Sequence, residues 1–307
     1  MRFSISNLNY KFLDFRKTGY IFSAVLITIS LLSVALHGGL KYGIDFAGGT
    51  LIQIKFKEPV DIREVRKIVN ALDANGGDIQ EFGEPEVIII NLHSEDGAHD
   101  KTVQMVKESL VGKYGEDGFI IERVEMVGPK VGSDLSTKAI MSILYSLIGI
   151  LIYVSYRFEF RFAVAAVVAL AHDTIITVGA FSIADKEFAL PVVAALLTVI
   201  GYSLNDTIVV FDRIREDLRL KRSLPINDLI NGSINATLSR TVITSGTTLL
   251  VVLAIFIFGG SVIHDFAFAL LVGIGIGTYS SIFIASPLLL FWPGTTTQTL
   301  SLAVKKK

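Results

Sequence analysis

Apolar positions along the chain fall into six runs: Tyr20–Leu36, Ala139–Tyr156, Phe162–Ile183, Leu190–Phe211, Val242–Phe258 and Phe266–Phe291. At about 1.5 Å of rise per residue, each is long enough to cross the roughly 30 Å hydrocarbon core of a bilayer. The pattern predicts six transmembrane helices. Between the first and second runs the period changes. "GGTLIQIKFK" alternates as a strand, "DIREVRKIVNALDA" has helical spacing with Asp61 as its N-cap, and "IQEFGEPEVIIINL" reads as two strands around a Gly-Glu-Pro turn. A second helix in "DKTVQMVKESLVGKY" and a last strand in "FIIERVEMVG" complete a βαββαβ order, that of a ferredoxin-like α+β domain. That order hosts many functions and identifies none.

The expected division is therefore 1–19 as an N-terminal segment, 20–39 as transmembrane helix 1, 40–135 as the ferredoxin-like domain, 136–293 as helices 2–6 with a basic connection at 212–241, and 294–307 as a tail. The first run exceeds the usual length of a signal-peptide core, and "VALHGGLKYG" offers no clean cleavage site, so it reads as an uncleaved anchor. Composition agrees with a membrane protein: 51% of the 307 residues are hydrophobic and the mean hydropathy is +0.58. The net charge of -1 conceals segregation. Residues 40–135 carry 18 Asp and Glu against 11 Lys and Arg. The N-terminus, "RFEFR", the connection after Phe211 and the terminal "KKK" are basic, whereas "ADKEF" and "GGSVIHD" share one Lys. The positive-inside rule places both termini in the cytoplasm and the acidic domain across the membrane.

Zero cysteines exclude a disulfide framework or thiolate site. No nucleophile motif, metal cluster or phosphate loop stands out, so neither catalysis nor a cofactor is expected. The loop "HSEDGAHD" lacks rigid ligand spacing and reads as a solvated turn. In "YGIDFAGGT", Asp45 sits among Gly43, Gly48 and Gly49 and leads into a strand, which indicates a tight turn at the membrane surface rather than a dinucleotide fingerprint.

The polar residues inside the runs carry the functional signal, because an ionisable side chain in hydrocarbon costs several kcal/mol. His172 and Asp173 lie half way along the third run, and Asn205 and Asp206 interrupt the fourth, with Asp206 roughly 9 Å of helical rise before Asp212. Helical spacing puts Tyr202, Ser203 and Asp206 on one face, and Arg240, Thr244, Thr247 and Thr248 on one face of the next helix. A carboxylate so placed is either protonated or facing a cation or water, and either way its protonation state is switchable. Arg240 is the nearest candidate cation, giving a proton-coupling pair Asp206–Arg240. For His172, Asp173, Asn205, Tyr202, Ser203 and Thr244, both proton relay and ordinary interhelical contact remain open. Snorkelling of Arg240 to the interface is the corresponding alternative for that residue. Gly273, Gly277 and Ser281 recur every four residues, a spacing that favours close helix packing.

One span, a large extramembrane domain and five further spans, together with "YGIDFAGGT", "ALAHDTIITVGAFS", "GYSLNDTIVVFDRIRE" and "LSRTVITSGTTLL", resemble the SecF family of protein-export membrane proteins, half of a resistance-nodulation-division transporter. The resemblance implies a bacterial inner-membrane protein with a periplasmic domain. It implies partnership with SecD, transient work with the SecYEG channel and SecA, association with YajC, and use of the proton motive force to promote late preprotein translocation. It also implies proton-coupling roles for the carboxylate of "GYSLND" and the arginine of "LSRT", at Asp206 and Arg240. A drug exporter of the same superfamily and a passive scaffold are the competing expectations.

Overall fold

The computed structural model describes residues 10–72, 78–82, 84–92, 99–221 and 223–291. The loop "HSEDGAHD" falls largely outside them. Six helices in this structure are long and apolar enough to cross a membrane. They are α1 (Arg16–Leu36), α5 (Pro129–Arg157), α6 (Phe160–Ile183), α7 (Leu190–Leu220), α8 (Ile226–Phe258) and α9 (Gly260–Ser280), the last continued by a π turn, Ser281–Ala285. A short helix α10 (Ser286–Leu288) follows. Pro287 lacks the N–H that an α-helix would use at that point, which accounts for irregular winding just before it.

Several helices run well past their apolar cores: α5 begins at Pro129 and α7 ends at Leu220. The extra turns are amphipathic and held by pairs one turn apart, such as Lys138 on Asp134 at 2.6 Å and Lys221 on Asp217 at 3.0 Å. Most of 212–241 is thus helical, the end of α7 and the start of α8 meeting in a short turn.

Between α1 and α5 stands the α+β domain. After a single helical turn, α2 (Ile44–Ala47), come β1 (Gly49–Phe56), α3 (Ile62–Asn70), β2 (Asp78–Phe82), β3 (Glu84–Leu92), α4 (His99–Tyr114) and β4 (Phe119–Val127). The strands form one antiparallel sheet in the order β2-β3-β1-β4, so the βαββαβ expectation holds. Asp61 caps α3 by accepting the Arg63 N–H at 2.9 Å, and hydrogen bonds from Arg63 hold its carboxyl down to about 2. One sheet face, with Ile52, Ile54, Ile88 and Ile90, packs on Val65, Val69, Val106 and Leu110 of α3 and α4. The strand register thus dictates which residues form the core.

The opposite face looks towards the helical bundle across a cavity of about 860 Å³. Several short-range contacts fasten the domain there. The two glycines, Gly48 and Gly49, have φ of +75° and +140°, and a Cβ on Gly48 would stand 2.9 Å from Pro129 Cα. A Cβ on Gly132 would likewise stand 2.8 Å from the Phe46 carbonyl oxygen. The chain at 46–49 therefore lies directly on the first turn of α5. Asp45 Oδ2 accepts the Leu190 N–H at 2.9 Å, capping α7 from a distant segment. Asn91 of β3 donates to Glu187 at 2.8 Å, and Gly43 and Phe188 pair through their backbones.

In the bundle, α6, α7 and α9 are the most enclosed helices, and α1, α5 and α8 lie outside them. Close approach is set by small residues: α1 buries Gly19, Ser23, Ser30 and Ser33, and a Cβ on Gly179 would fall 2.1 Å from Ser30 Cβ. On α9 the same holds for Gly273 against Val199 at 2.3 Å and Gly277 against Ser203 at 2.9 Å. The expected small-residue packing of this helix is observed. We expect Gly132→Val to lower the thermal unfolding midpoint of the detergent-solubilised protein by several degrees, whereas Gly149→Val, where no heavy atom lies within 4 Å, leaves it within about one degree.

Candidate functional site: a hydroxyl-caged carboxylate pair

Two aspartates are buried in the middle of the bundle. Asp173 on α6 is 0% exposed and Asp206 on α7 is 6% exposed. Asp206 Oδ1 accepts the Thr241 hydroxyl of α8 at 2.6 Å, and Oδ2 accepts the Ser281 hydroxyl at 2.6 Å. Asp173 Oδ2 accepts the Ser203 hydroxyl of α7 at 2.6 Å and the Ser280 hydroxyl at 2.8 Å. Its Oδ1 lies 2.8 Å from His172 Nδ1. Ser280 and Ser281 are consecutive and so point about 100° apart, which sends one hydroxyl to each carboxylate. A single turn of α9 serves both acids.

Each serine also has a second acceptor within reach. Ser281 Oγ lies 3.0 Å from the Thr278 carbonyl oxygen, and Ser280 Oγ lies 3.2 Å from that of Gly277. Either hydroxyl can rotate from carboxylate to backbone without being orphaned, which removes the usual cost of about 1–3 kcal/mol for an unpaired buried donor. Below Ser281 the helix adopts its π turn, where Ser286 donates through both N–H and hydroxyl to the Ser281 carbonyl oxygen, the hydroxyl at 2.7 Å. His172 is 5% exposed, with its ring 6.4 Å from that of Tyr279, and among the described residues its Nε2 has no hydrogen-bonding partner.

Several placements differ from what helical spacing alone suggests. His172 and Asp173, about 100° apart around α6 as consecutive residues, nonetheless meet through their side chains, Nδ1 to Oδ1. Arg240 is exposed, and among the described residues the hydrogen-bonding partners of the Asp206 carboxylate are Thr241 and Ser281 instead. The face of α8 turned to the bundle is Thr237, Thr241, Ser245 and Val252, one position round from the Arg240 stripe. Thr244 and Thr247 are exposed, and their hydroxyls return to carbonyls of their own helix. Tyr202 reaches Thr248 at 3.2 Å while Ser203 and Asp206 turn inward, so these three residues of α7 divide among different neighbours. Asn205 is exposed and has no hydrogen-bonding partner among the described residues. Asp45, Gly48 and Gly49 lie far from this cage, at the domain junction.

Spacing missed Thr241, Ser245, Ser280 and Ser281 as polar partners. The signal was present in the i, i+4 series Thr237–Thr241–Ser245 and the tandem serines of "GTYSSIF", but serines and threonines in membrane helices usually bond their own backbone. Among the described residues no group of three or more His, Asp or Glu forms a metal site.

The family model described as "Protein export membrane protein SecD/SecF, C-terminal" matches residues 106–295, which contain the whole cage. The chain belongs to this SecD/SecF family. A second model of the family, its GG motif, matches residues 36–60 and so covers the junction at Gly48 and Gly49. The chain is 50% identical over 299 residues to the protein translocase subunit SecF of Magnetococcus marinus, covering 96% of each chain. It is 51% identical over 286 residues to that of Calditerrivibrio nitroreducens, covering 91% of this chain and 93% of the relative. Among solved structures it is similar to the crystal structure of SecDF, a translocon-associated membrane protein from Thermus thermophilus, with TM-score 0.83, 37% identity and 94% of this chain covered. A super-membrane-facing form of SecDF matches with TM-score 0.68 at 35% identity, covering 98% of this chain. The chain spans 39% and 40% of the length of those two SecDF chains.

The two faces of α8 make different demands. Thr241→Val keeps shape but leaves one Asp206 oxygen without its donor, and is expected to cost about 1–3 kcal/mol in unfolding free energy. Thr244→Val on the exposed face should change it by less than about 0.5 kcal/mol. Denaturant titration in micelles measures both, and equal losses would contradict the assignment of the inner face.

Proposed function

We propose that this protein is an auxiliary subunit of the Sec protein translocase that pairs with a SecD partner and uses the proton motive force to promote late translocation of preproteins. The observation that carries the reading is Asp206, a carboxylate enclosed in an apolar bundle with two hydroxyl donors and no cation. An acid so placed accepts and releases a proton with large structural consequence. When it is ionised, Thr241 and Ser281 both donate to it. When it is protonated, its own O–H needs an acceptor, and Ser281 turns to the Thr278 carbonyl. Protonation thereby changes what holds α9 to α7 at the π turn, a single-turn irregularity of the kind found at functional sites.

In this reading Arg240 acts from the exposed side of α8, one residue from Thr241, lowering the cost of a charge on Asp206 when the helices rearrange. His172 and Asp173 of α6 form a second station, which meets the same turn of α9 through Ser280. A gradient of roughly 150 mV supplies about 3.5 kcal/mol per proton, enough to shift a two-state element several hundredfold. Asp45 and the glycine junction transmit the shift to the domain at 40–135, for which the charge distribution of the loops supports a periplasmic position. The cytoplasmic side then holds both termini and the arginine-rich ends of α5 and α7.

The partner surface is the outward face of α7 and α8. Ala194, Thr198, Gly201 and Asn205 form an exposed stripe of small and polar residues on α7, beside Arg240 and Thr244 of α8. Such a stripe at membrane depth suits a closely packed helix better than lipid, and the longer SecDF chains contain a further part beyond what this chain matches. Work with SecYEG, SecA and YajC belongs to the same proposal. In reconstituted vesicles, Asp206→Asn is expected to preserve assembly with the partner and abolish gradient-stimulated preprotein transport. Full stimulation in this variant would refute proton coupling at Asp206.

A further inference from the structure

Arg240, to which the proposed proton coupling gives a role beside Asp206, also borders a cluster of arginines that this coupling does not explain. At the end of the bundle away from the domain, α5, α7 and α8 diverge around a cleft of about 740 Å³. Five arginines line it, Arg157, Arg213, Arg215, Arg219 and Arg240, against two acids, Asp212 and Glu216. The acids are already engaged, Asp212 with Arg157 at 3.7 Å and Glu216 with Arg213 at 2.9 Å. Arg215 donates to the Arg157 carbonyl oxygen at 3.0 Å. Among the described residues Arg219 and Arg240 have no carboxylate partner.

The guanidiniums of Arg157 and Arg215 lie 5.3 Å and 5.6 Å from the centroid of the same buried ring, Phe158. Stacking on the ring fixes both groups, and it also holds two like charges close together. An anion beside them offsets like charge, and planar guanidiniums suit phosphate oxygens in particular. The depth of the cleft specifies the source of the anion. Arg157 ends a membrane helix, and Tyr153, Tyr156 and Phe160 are exposed beside it at 53%, 87% and 62%, the aromatic belt of a membrane interface.

We propose that this cleft binds the phosphodiester headgroup of an anionic phospholipid, whose acyl chains descend along the exposed apolar flank of α5. Basic pockets between transmembrane helices at the membrane boundary have this chemistry. The site would hold the divergent ends of α5, α7 and α8 in register next to the Thr237–Thr241 face.

The test is native mass spectrometry of the full chain released from detergent with phosphatidylglycerol, phosphatidylcholine or inorganic phosphate added in turn. Saturable binding of phosphatidylglycerol is expected, with at least about tenfold preference over phosphatidylcholine. Arg157→Gln/Arg219→Gln should lose about tenfold in that binding, while Lys130→Gln/Lys138→Gln at the opposite end of α5 retains it. If the double variant unfolds in lipid-free micelles, the exposed single variant Arg219→Gln carries the same test with a loss of several fold. Equal binding of the two lipids, or no effect of the arginine variants, overturns the proposal. Displacement of the lipid by millimolar phosphate would make this a free-anion site. Displacement by the partner subunit would make it an acidic protein interface.

Discussion

The bundle is organised by the cost of keeping two carboxylates away from water. Among the described residues neither Asp173 nor Asp206 has a basic residue beside it other than His172, and each is satisfied instead by hydroxyls brought from neighbouring helices. That requirement fixes more than the acids. It sets the rotation of α8, which must present Thr241 rather than Arg240. It sets the height of α9, whose tandem serines must lie level with both aspartates. It also demands near contact between α7 and α9, which Gly273 and Gly277 permit by leaving no side chain between the helices. Hydroxyls are suited to such a cage because they rotate to a backbone carbonyl when the acid no longer needs them, where a lysine or arginine would leave an unpaired charge.

A second constraint joins the domain to this bundle. The domain is tied to the membrane helices through short contacts that include the glycine turn on α5, the Asp45 cap on α7 and the Asn91–Glu187 side-chain hydrogen bond. The first two act on helix N-termini. A movement of α5 or α7 is therefore delivered to the base of β1 and to its neighbour β3, with little intervening chain to absorb it. The rest of the sheet face stands over an open cavity.

Much of the architecture is legible in the order of residues. Lengths of apolar runs give the six spans, alternation gives the strands, and the Asp61 cap and the two-residue period of β1 give the domain's order and its core face. The boundaries of the helices are less legible, because the ends of α5 and α7 are polar and persist through ion pairs one turn apart, a feature that hydropathy does not register. The site was half visible. Asp206 and Asp173 stand out because a charge in hydrocarbon is expensive wherever the helix turns, so their importance does not depend on packing.

What depends on packing is the partner of each. Successive positions on a helix differ by about 100°, so a shift of one residue in rotation exchanges Arg240 for Thr241 at the Asp206 carboxylate. The sequence contains both residues and no rule that chooses between them. Only contact among α6, α7, α8 and α9 makes the choice. By itself the sequence determined which residues cannot face lipid unaided, since that follows from transfer energy alone. The tertiary structure decided which hydroxyls cage them and which polar stripe is left outward, since these follow from the rotation and height of each helix against its neighbours.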